Sequence, residues 1–280
     1  MVASKQHRKQ VLIFNQNLLD LVSCFSMGAI YAAKLGNVYL DGTGGHWLCL
    51  VVFSEGSAWG PVTGSMVNLA AISIKRYLRI VRSGWAKEKL RGWMIYSAVA
   101  LAWASGTVIA AAVSITTSGV VRGVCFSRFF WKSQATRMAY VIWYILFFFV
   151  IILSIITFCY WRILVVFRRQ ASVMAAHDAA GPGTGTAHIK SKQIQISMIK
   201  TMILVSALLV ITWAPANIYG FLNTVSKNRP SKNAMYFVII VAHILCINPF
   251  IYATKFNPVR RVLLCLIPCN KTTQPIESVE

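Results

Sequence analysis

Apolar positions in this chain fall into long runs separated by short polar and basic connectors. Six runs stand out, at about residues 11–33, 47–74, 93–117, 139–167, 201–225 and 235–254. Each is about 20 residues or longer, the length of helix that crosses a hydrocarbon layer about 30 Å thick. Six such helices in series exceed what one soluble core can enclose, so the pattern predicts an all-α membrane protein in a single transmembrane domain, 1–280. Residues 1–10 are polar and basic, and the first run is too long for the apolar part of a secretion signal; no signal peptide is expected.

Charge sets the orientation of these spans. The chain has 28 Lys and Arg against 7 Asp and Glu, a net charge of +21. The basic residues crowd into the leader, the second loop (Lys75 to Arg91), the fourth loop (Arg168 to Lys200) and the tail, which places those segments in the cytosol. Such an inner face attracts anionic lipid headgroups. Nucleic acid is not an expected partner, because the basic residues are divided between two sides of a membrane. Inside the fourth loop, "AAGPGTGTAH" (179–188) reads as a flexible linker. Its flanks are expected to carry the fourth and fifth spans onward as helices into the cytosol, their cations snorkelling.

With sides assigned, the cysteines sort themselves. Cys49 and Cys125 face the oxidising exterior and are expected to form a disulfide tying a loop to the top of a helix. Cys265 and Cys269 follow the last span on the cytosolic side and are candidates for palmitoylation. Cys24, Cys159 and Cys246 lie within spans and are expected as small hydrophobic residues. The five histidines are scattered without metal-ligand or nucleophile–base spacing, so an enzyme is not expected.

Polar residues inside the spans carry the functional signal. Asp20, in "IFNQNLLDLVSCF", costs about 2.5–3.5 kcal/mol at the centre of a bilayer and must face protein. Its candidate partners are Ser65, Asn68 and Asn248; a carboxylate with hydroxyl and amide oxygens suits a sodium ion. Arg76, in "AAISIKRYLRIV", stands eleven residues or three helical turns from Ser65, on the same face. It reads as a latch or a partner contact at the inner mouth, whereas Lys75 and Arg79 are expected to snorkel. Pro215 in "VITWAPANIY" and Pro249 in "CINPFIY" break their helices and create hinges, with Trp213 riding on the first.

In order, these residues resemble the rhodopsin-like (class A) G-protein-coupled receptors across essentially the whole chain. Asp20 resembles the acid of the family's second helix, and Cys49 and Cys125 its outer disulfide. "KRY" (75–77) stands where the family usually has acid-Arg-Tyr, and Trp103 matches the fourth helix's tryptophan. Tyr160 matches the inner tyrosine of the fifth helix. "TWAP" (212–215) is similar to Cys-Trp-x-Pro, "NPFIY" (248–252) to Asn-Pro-x-x-Tyr, and residues 256–267 to the amphipathic eighth helix. The resemblance implies a seven-helix bundle, a heterotrimeric G protein as partner, a plasma-membrane location and an extracellular peptide or small-molecule ligand. It also implies that the Asn-Pro break at Pro249 lets Tyr252 swing towards Tyr160 and Arg76. The expected ligand-facing residues are Glu55, Ala58, Trp213 and Asn217.

Departures from the family pattern are equally specific. The chain begins in what resembles the first inner loop, so six spans are expected with the family's first helix missing; a fragment of a longer receptor is the favoured reading. Lys75 replaces the acid that normally pairs with Arg76, Gln195 stands where a second acid often lies, and Ile152 takes the fifth helix's usual proline. Counting eighteen back from Arg76 gives Ala58, whereas seven on from Cys49 gives Gly56, a two-residue discrepancy. Ala242 occupies the place of a retinal-bearing lysine, which argues against a photoreceptor, and His243 beside it is expected to pack. The rival readings are a non-signalling or truncated receptor-like product and, behind it, an ion-coupled transporter.

Overall fold

The computed structural model of the chain describes residues 2–36, 38–127 and 133–178, with isolated positions from 207 to 225. In order come α1 (Val2–Leu35), α2 (Gly42–Val51), α3 (Glu55–Val81), α4 (Ser83–Lys89), α5 (Gly92–Thr117), the strands β1 (Ser118–Val121) and β2 (Val124–Ser127), α6 (Gln134–Tyr144), a π-helical stretch Ile145–Ile151, and α7 (Ile152–Asp178). The expected spans at 235–254 and helix at 256–267 lie outside the described residues, as do Trp213, Gln195, Ala242, His243, Asn248, Pro249, Tyr252, Cys246, Cys265 and Cys269. Pro215 and Asn217 are described and both sit in helical backbone.

Helix α3 is the axis of the described bundle, packing against α1, α5 and α7. Its buried face includes Val62, Met66, Leu69 and Ile72, which join Leu12 of α1, Ile95 of α5 and Ile152, Ile156, Tyr160 and Ile163 of α7 in one core. Among the described residues, three helical stretches are long and apolar enough to cross a membrane: Val11–Ala33, Gly92–Thr116 and Gln134–Arg169. α3 is not one of them, although it is the most enclosed. Protein surrounds it, so it can carry Thr63, Ser65, Asn68 and Ser73 buried, whereas its neighbours must show lipid an apolar face. On α5 that face is Tyr96, Leu101, Val108 and Ile115, all exposed.

Small residues let α3 and α5 touch backbone to backbone. Gly56, Gly60 and Gly64 repeat every four residues along α3 and meet Ala102, Gly106, Ala110 and Ser114 of α5. A β-carbon on Gly60 would lie 2.7 Å from the Gly106 carbonyl oxygen and 2.6 Å from Ala110 Cβ. In lipid, where apolar surface gains little by leaving one greasy neighbour for another, this close approach is a principal source of helix attraction.

Three segments differ from what the sequence suggests. The run 47–74 is not one helix. α2 ends at Val51, and Ser54 restarts the chain as the N-cap of α3, accepting a hydrogen bond from Ser57 N at 3.4 Å. This break explains the two-residue discrepancy: the count from Cys49 crosses it, while the count from Arg76 to Ala58 stays within α3. The leader continues α1 as helix from Val2, since its Ala, Lys, Gln and Arg are good helix formers. The third loop holds a β-hairpin with Val120 paired to Cys125. Arg122 and Gly123 at its tip both have positive φ, 52° and 76°, the two-residue turn whose twist suits a hairpin.

The helix of the fourth span does continue past residue 167, to Asp178. Before Ile152, the backbone widens into a seven-residue π stretch, so the bulge forms at the place where the proline is lacking. Such bulges shift the register of the side chains that follow.

Overpacking a helix contact costs about 1–3 kcal/mol or more. Gly60→Leu should therefore lower the melting temperature of the detergent-purified chain, while Gly28→Leu should not, because nothing lies within 4 Å of a β-carbon there. Equal melting temperatures for the two variants would contradict the close α3–α5 contact.

Candidate functional site

Four levels of α3, from the outer rim inwards, hold the candidate residues. At the rim, Cys49 of α2 is bonded to Cys125 of β2 across 76 residues of sequence, as expected. The hairpin tip is also pinned by Leu40 N donating to Gly123 O at 2.7 Å, with the Tyr39 ring against Gly123. Ser54 Oγ lies 2.7 Å from Ser114 Oγ and so joins the start of α3 to the end of α5. Cys24 corrects the sequence reading: it is disulfide-bonded and is not a plain apolar filler.

Just below, Glu55, Trp59 and Thr63 form one ridge of α3, each a helical turn apart. Trp59 meets Tyr144 edge-to-face, centroids 6.3 Å apart, and Thr63 Oγ1 is 3.3 Å from Tyr144 Oη. Tyr140 and Phe148 flank Tyr144 at 6.4 and 5.4 Å. Ala58, on the adjacent face, is buried. Of the expected ligand-facing residues, Glu55 and Ala58 thus sit at the outer end of α3, Asn217 is half-buried in helical backbone, and Trp213 lies outside the described residues. The sequence reading missed the aromatic wall of Trp59, Tyr140, Tyr144 and Phe148. Aromatic residues are so frequent in these spans that only packing distinguishes them.

Midway along α3 a buried hydrogen-bond relay joins three helices. Trp103 Nε1 on α5 donates to Asn15 Oδ1 at 2.8 Å, and Asn15 Nδ2 donates to Asn68 Oδ1 at 3.0 Å. Asn68 Nδ2 donates to Leu12 O at 2.9 Å and to Gln16 Oε1 at 2.8 Å. Gln16 Nε2 donates to Ser65 Oγ and to Asp20, whose Oδ1 is 3.3 Å away, and Ser65 Oγ donates to Asp20 Oδ1 at 2.7 Å. Asp20 thus meets Ser65 as expected, whereas Asn68 is joined to it through Gln16; Asn248 lies outside the described residues. Asn15 and Gln16 were not singled out from sequence, although two further amides in "IFNQNLLD" were themselves a signal.

The inner level is built on α3 and α7. Ser73 Oγ donates to Tyr160 Oη at 3.3 Å, which seats the expected switch tyrosine one turn from Arg76. Tyr77 packs on Phe158 with centroids 5.8 Å apart. Here the structure corrects another expectation. Lys75 does not snorkel freely but is buried, at 9% exposure, while Arg76 is half-buried and Arg79 exposed. Burial first, then the charges of Arg79 and Arg76, pull the Lys75 ammonium from 10.5 down to about 8. Where the family places an acid to hold Arg76, this chain adds a buried positive charge.

Residues 1–252 match the family described as 7 transmembrane receptor (rhodopsin family). The chain belongs to that family. Members of it are receptors rather than enzymes, and this one is a multi-pass membrane protein. Sphingosine 1-phosphate receptor 1 of Danio rerio is 24% identical over 97% of this chain and 73% of its own length. Neuropeptide Y receptor type 4 of Mus musculus is 25% identical over 68% of this chain, which spans 53% of it. Sphingosine 1-phosphate receptor 5 of Homo sapiens is 26% identical over 93% of this chain and 64% of its own length.

Because the indole of Trp103 satisfies a buried amide oxygen, its loss leaves an acceptor without a donor, at a cost of about 1–3 kcal/mol. Trp103→Phe should destabilise the receptor accordingly. Asn15→Leu should make a second loss at Trp103 much smaller than the first, as a double-mutant cycle of thermal unfolding would show. Additive losses would mean that the two side chains are not coupled.

Proposed function

We propose that the chain is a G-protein-coupled receptor of the plasma membrane, passing an extracellular ligand signal to heterotrimeric G proteins by rearrangement of kinked helices. One observation supports this above others. α3 is a single helix carrying Glu55, Trp59 and Thr63 at its outer end, Ser65 and Asn68 in the middle, and Ser73, Lys75 and Arg76 at its inner end. A ligand that displaces the outer ridge shifts the other levels with it, so binding biases which arrangement of the bundle is populated. On this reading Arg76 and Tyr160 form the cytosolic switch on the described side. Trp213, Pro215, Pro249 and Tyr252 supply its moving partner.

The ligand site we assign to Glu55, Ala58, Trp213 and Asn217, extended by the wall of Trp59, Tyr140 and Tyr144. Such a site takes an apolar or aromatic body, with Glu55 at the rim as counter-charge for a cationic group. The relatives are receptors for sphingosine 1-phosphate and for neuropeptide Y, and both a small molecule and a peptide fit this description.

Lys75 bears on the strength of signalling. With a buried cation in place of the acid usual at position 75, the residue beside Arg76 repels it instead of attracting it, and basal activity should be raised. The same residue favours the rival reading of a receptor-like protein that does not signal. Agonist-free G-protein activation in cells decides between them, using this chain and one extended upstream. Signalling above that of untransfected cells, lowered several-fold by Lys75→Asp, is the expected outcome. Basal signalling unchanged by Lys75→Asp at equal surface expression would remove the latch argument. No activation from any form, with ligands supplied, would favour the rival.

A further inference from the structure

A carboxylate with hydroxyl and amide oxygens nearby leads one to expect sodium beside Asp20, and Gln16 is placed to prevent it. Gln16 lies one helical turn from Asp20 on α1 and is 1% exposed. Its Nε2 stands 3.3 and 3.5 Å from the two carboxylate oxygens and in hydrogen-bonding contact with Ser65 Oγ. Which end of an amide faces a site is ordinarily a matter of assignment. Here two groups of fixed character decide it.

The Trp103 indole can only donate, so the atom of Asn15 that meets it is the oxygen, leaving Asn15 Nδ2 to donate to Asn68 Oδ1. The Leu12 backbone carbonyl can only accept, which independently makes the other end of Asn68 its nitrogen. That nitrogen also donates to Gln16 Oε1, so the end of Gln16 turned to Asp20 and Ser65 is the NH2. The relay has one direction, from the indole to the carboxylate.

This direction conflicts with the needs of a hard cation, which takes oxygen ligands. The amide oxygens of Asn15, Asn68 and Gln16 are each engaged by an N–H. The group turned towards the carboxylate presents hydrogens. Among the described residues, those at Asp20 therefore do not fit a sodium ion while Gln16 is in place. We propose that the Gln16 amide occupies the position a cation would take at Asp20, making this receptor insensitive to sodium, and that Gln16 is the residue that excludes the ion. Removing the amide leaves Asn68 its bond to the Leu12 carbonyl and Ser65 its bond to Asp20, so the cluster keeps its frame and gains space.

The test uses the full chain purified in detergent and thermal unfolding in sodium chloride against potassium chloride at equal ionic strength; it does not depend on G-protein coupling. The wild-type melting temperature is expected to be the same in both salts. Gln16→Leu should gain a sodium-specific rise of about 2–4 °C, and the rise should vanish in Gln16→Leu/Asp20→Asn. A sodium-specific rise in the wild type that Asp20→Asn abolishes would overturn the proposal. So would a Gln16→Leu protein with no sodium response, since something other than Gln16 would then exclude the ion. Should Gln16→Leu not be recovered folded, Gln16→Met, unbranched and of similar length, is read in the same way.

Discussion

A carboxylate in hydrocarbon must be met by partners at every oxygen, and the centre of this bundle is arranged to meet that demand. Asp20 receives the Ser65 hydroxyl and the Gln16 amide. Those donors must themselves be satisfied, which brings in Asn68, Asn15 and finally Trp103. The relay ends where a donor-only indole supplies a hydrogen and needs none. Each link crosses between helices, except for the contact of Gln16 with Asp20 on α1 itself. The cost of the buried acid is thus what fixes α1, α3 and α5 in mutual register, because a shift of one residue on any of them would strand a polar atom away from water.

That register also depends on how near the helices come. The glycines of α3 allow its backbone to lie against α5, close enough for Trp103 on one flank and the Ser54–Ser114 contact at the rim to serve a single rigid pair. Across from that pair, α6, the π stretch and α7 offer a different surface: aromatic at the outer end, aliphatic in the middle, with Tyr160 at the base. The proposed signalling route follows from this asymmetry. One side of α3 is fixed by close backbone contact and hydrogen bonds, and the other is packed through side chains that can change rotamer.

The inner end shows how a family pattern can be kept in outline and altered in its electrostatics. Arg76, Tyr77 and Tyr160 stand where the resemblance places them, yet Lys75 turns inward where an acid is usual. Its burial came as a correction because sequence reasoning treats a lysine at a helix end as free to reach water. Whether it can do so depends on what α3 is surrounded by at that level, and the chain pattern holds no record of that.

By itself the sequence determined the membrane class, the Cys49–Cys125 bond and the burial of Asp20 among protein, and it set an expected sidedness. Each follows from a strong one-dimensional rule: length of apolar run, distribution of positive charge, redox compartment, and the cost of an acid in lipid. It pointed to Ser65 and Asn68 because polar residues in a span need each other. The tertiary structure decided the break between α2 and α3, the hairpin carrying Cys125, the wall around Tyr144, the burial of Lys75 and the disulfide at Cys24. It also decided which end of Gln16 faces Asp20. Its orientation is set through Asn68 of α3 by an indole on α5 and a backbone carbonyl on α1, and only the fold brings these helices within reach of one another.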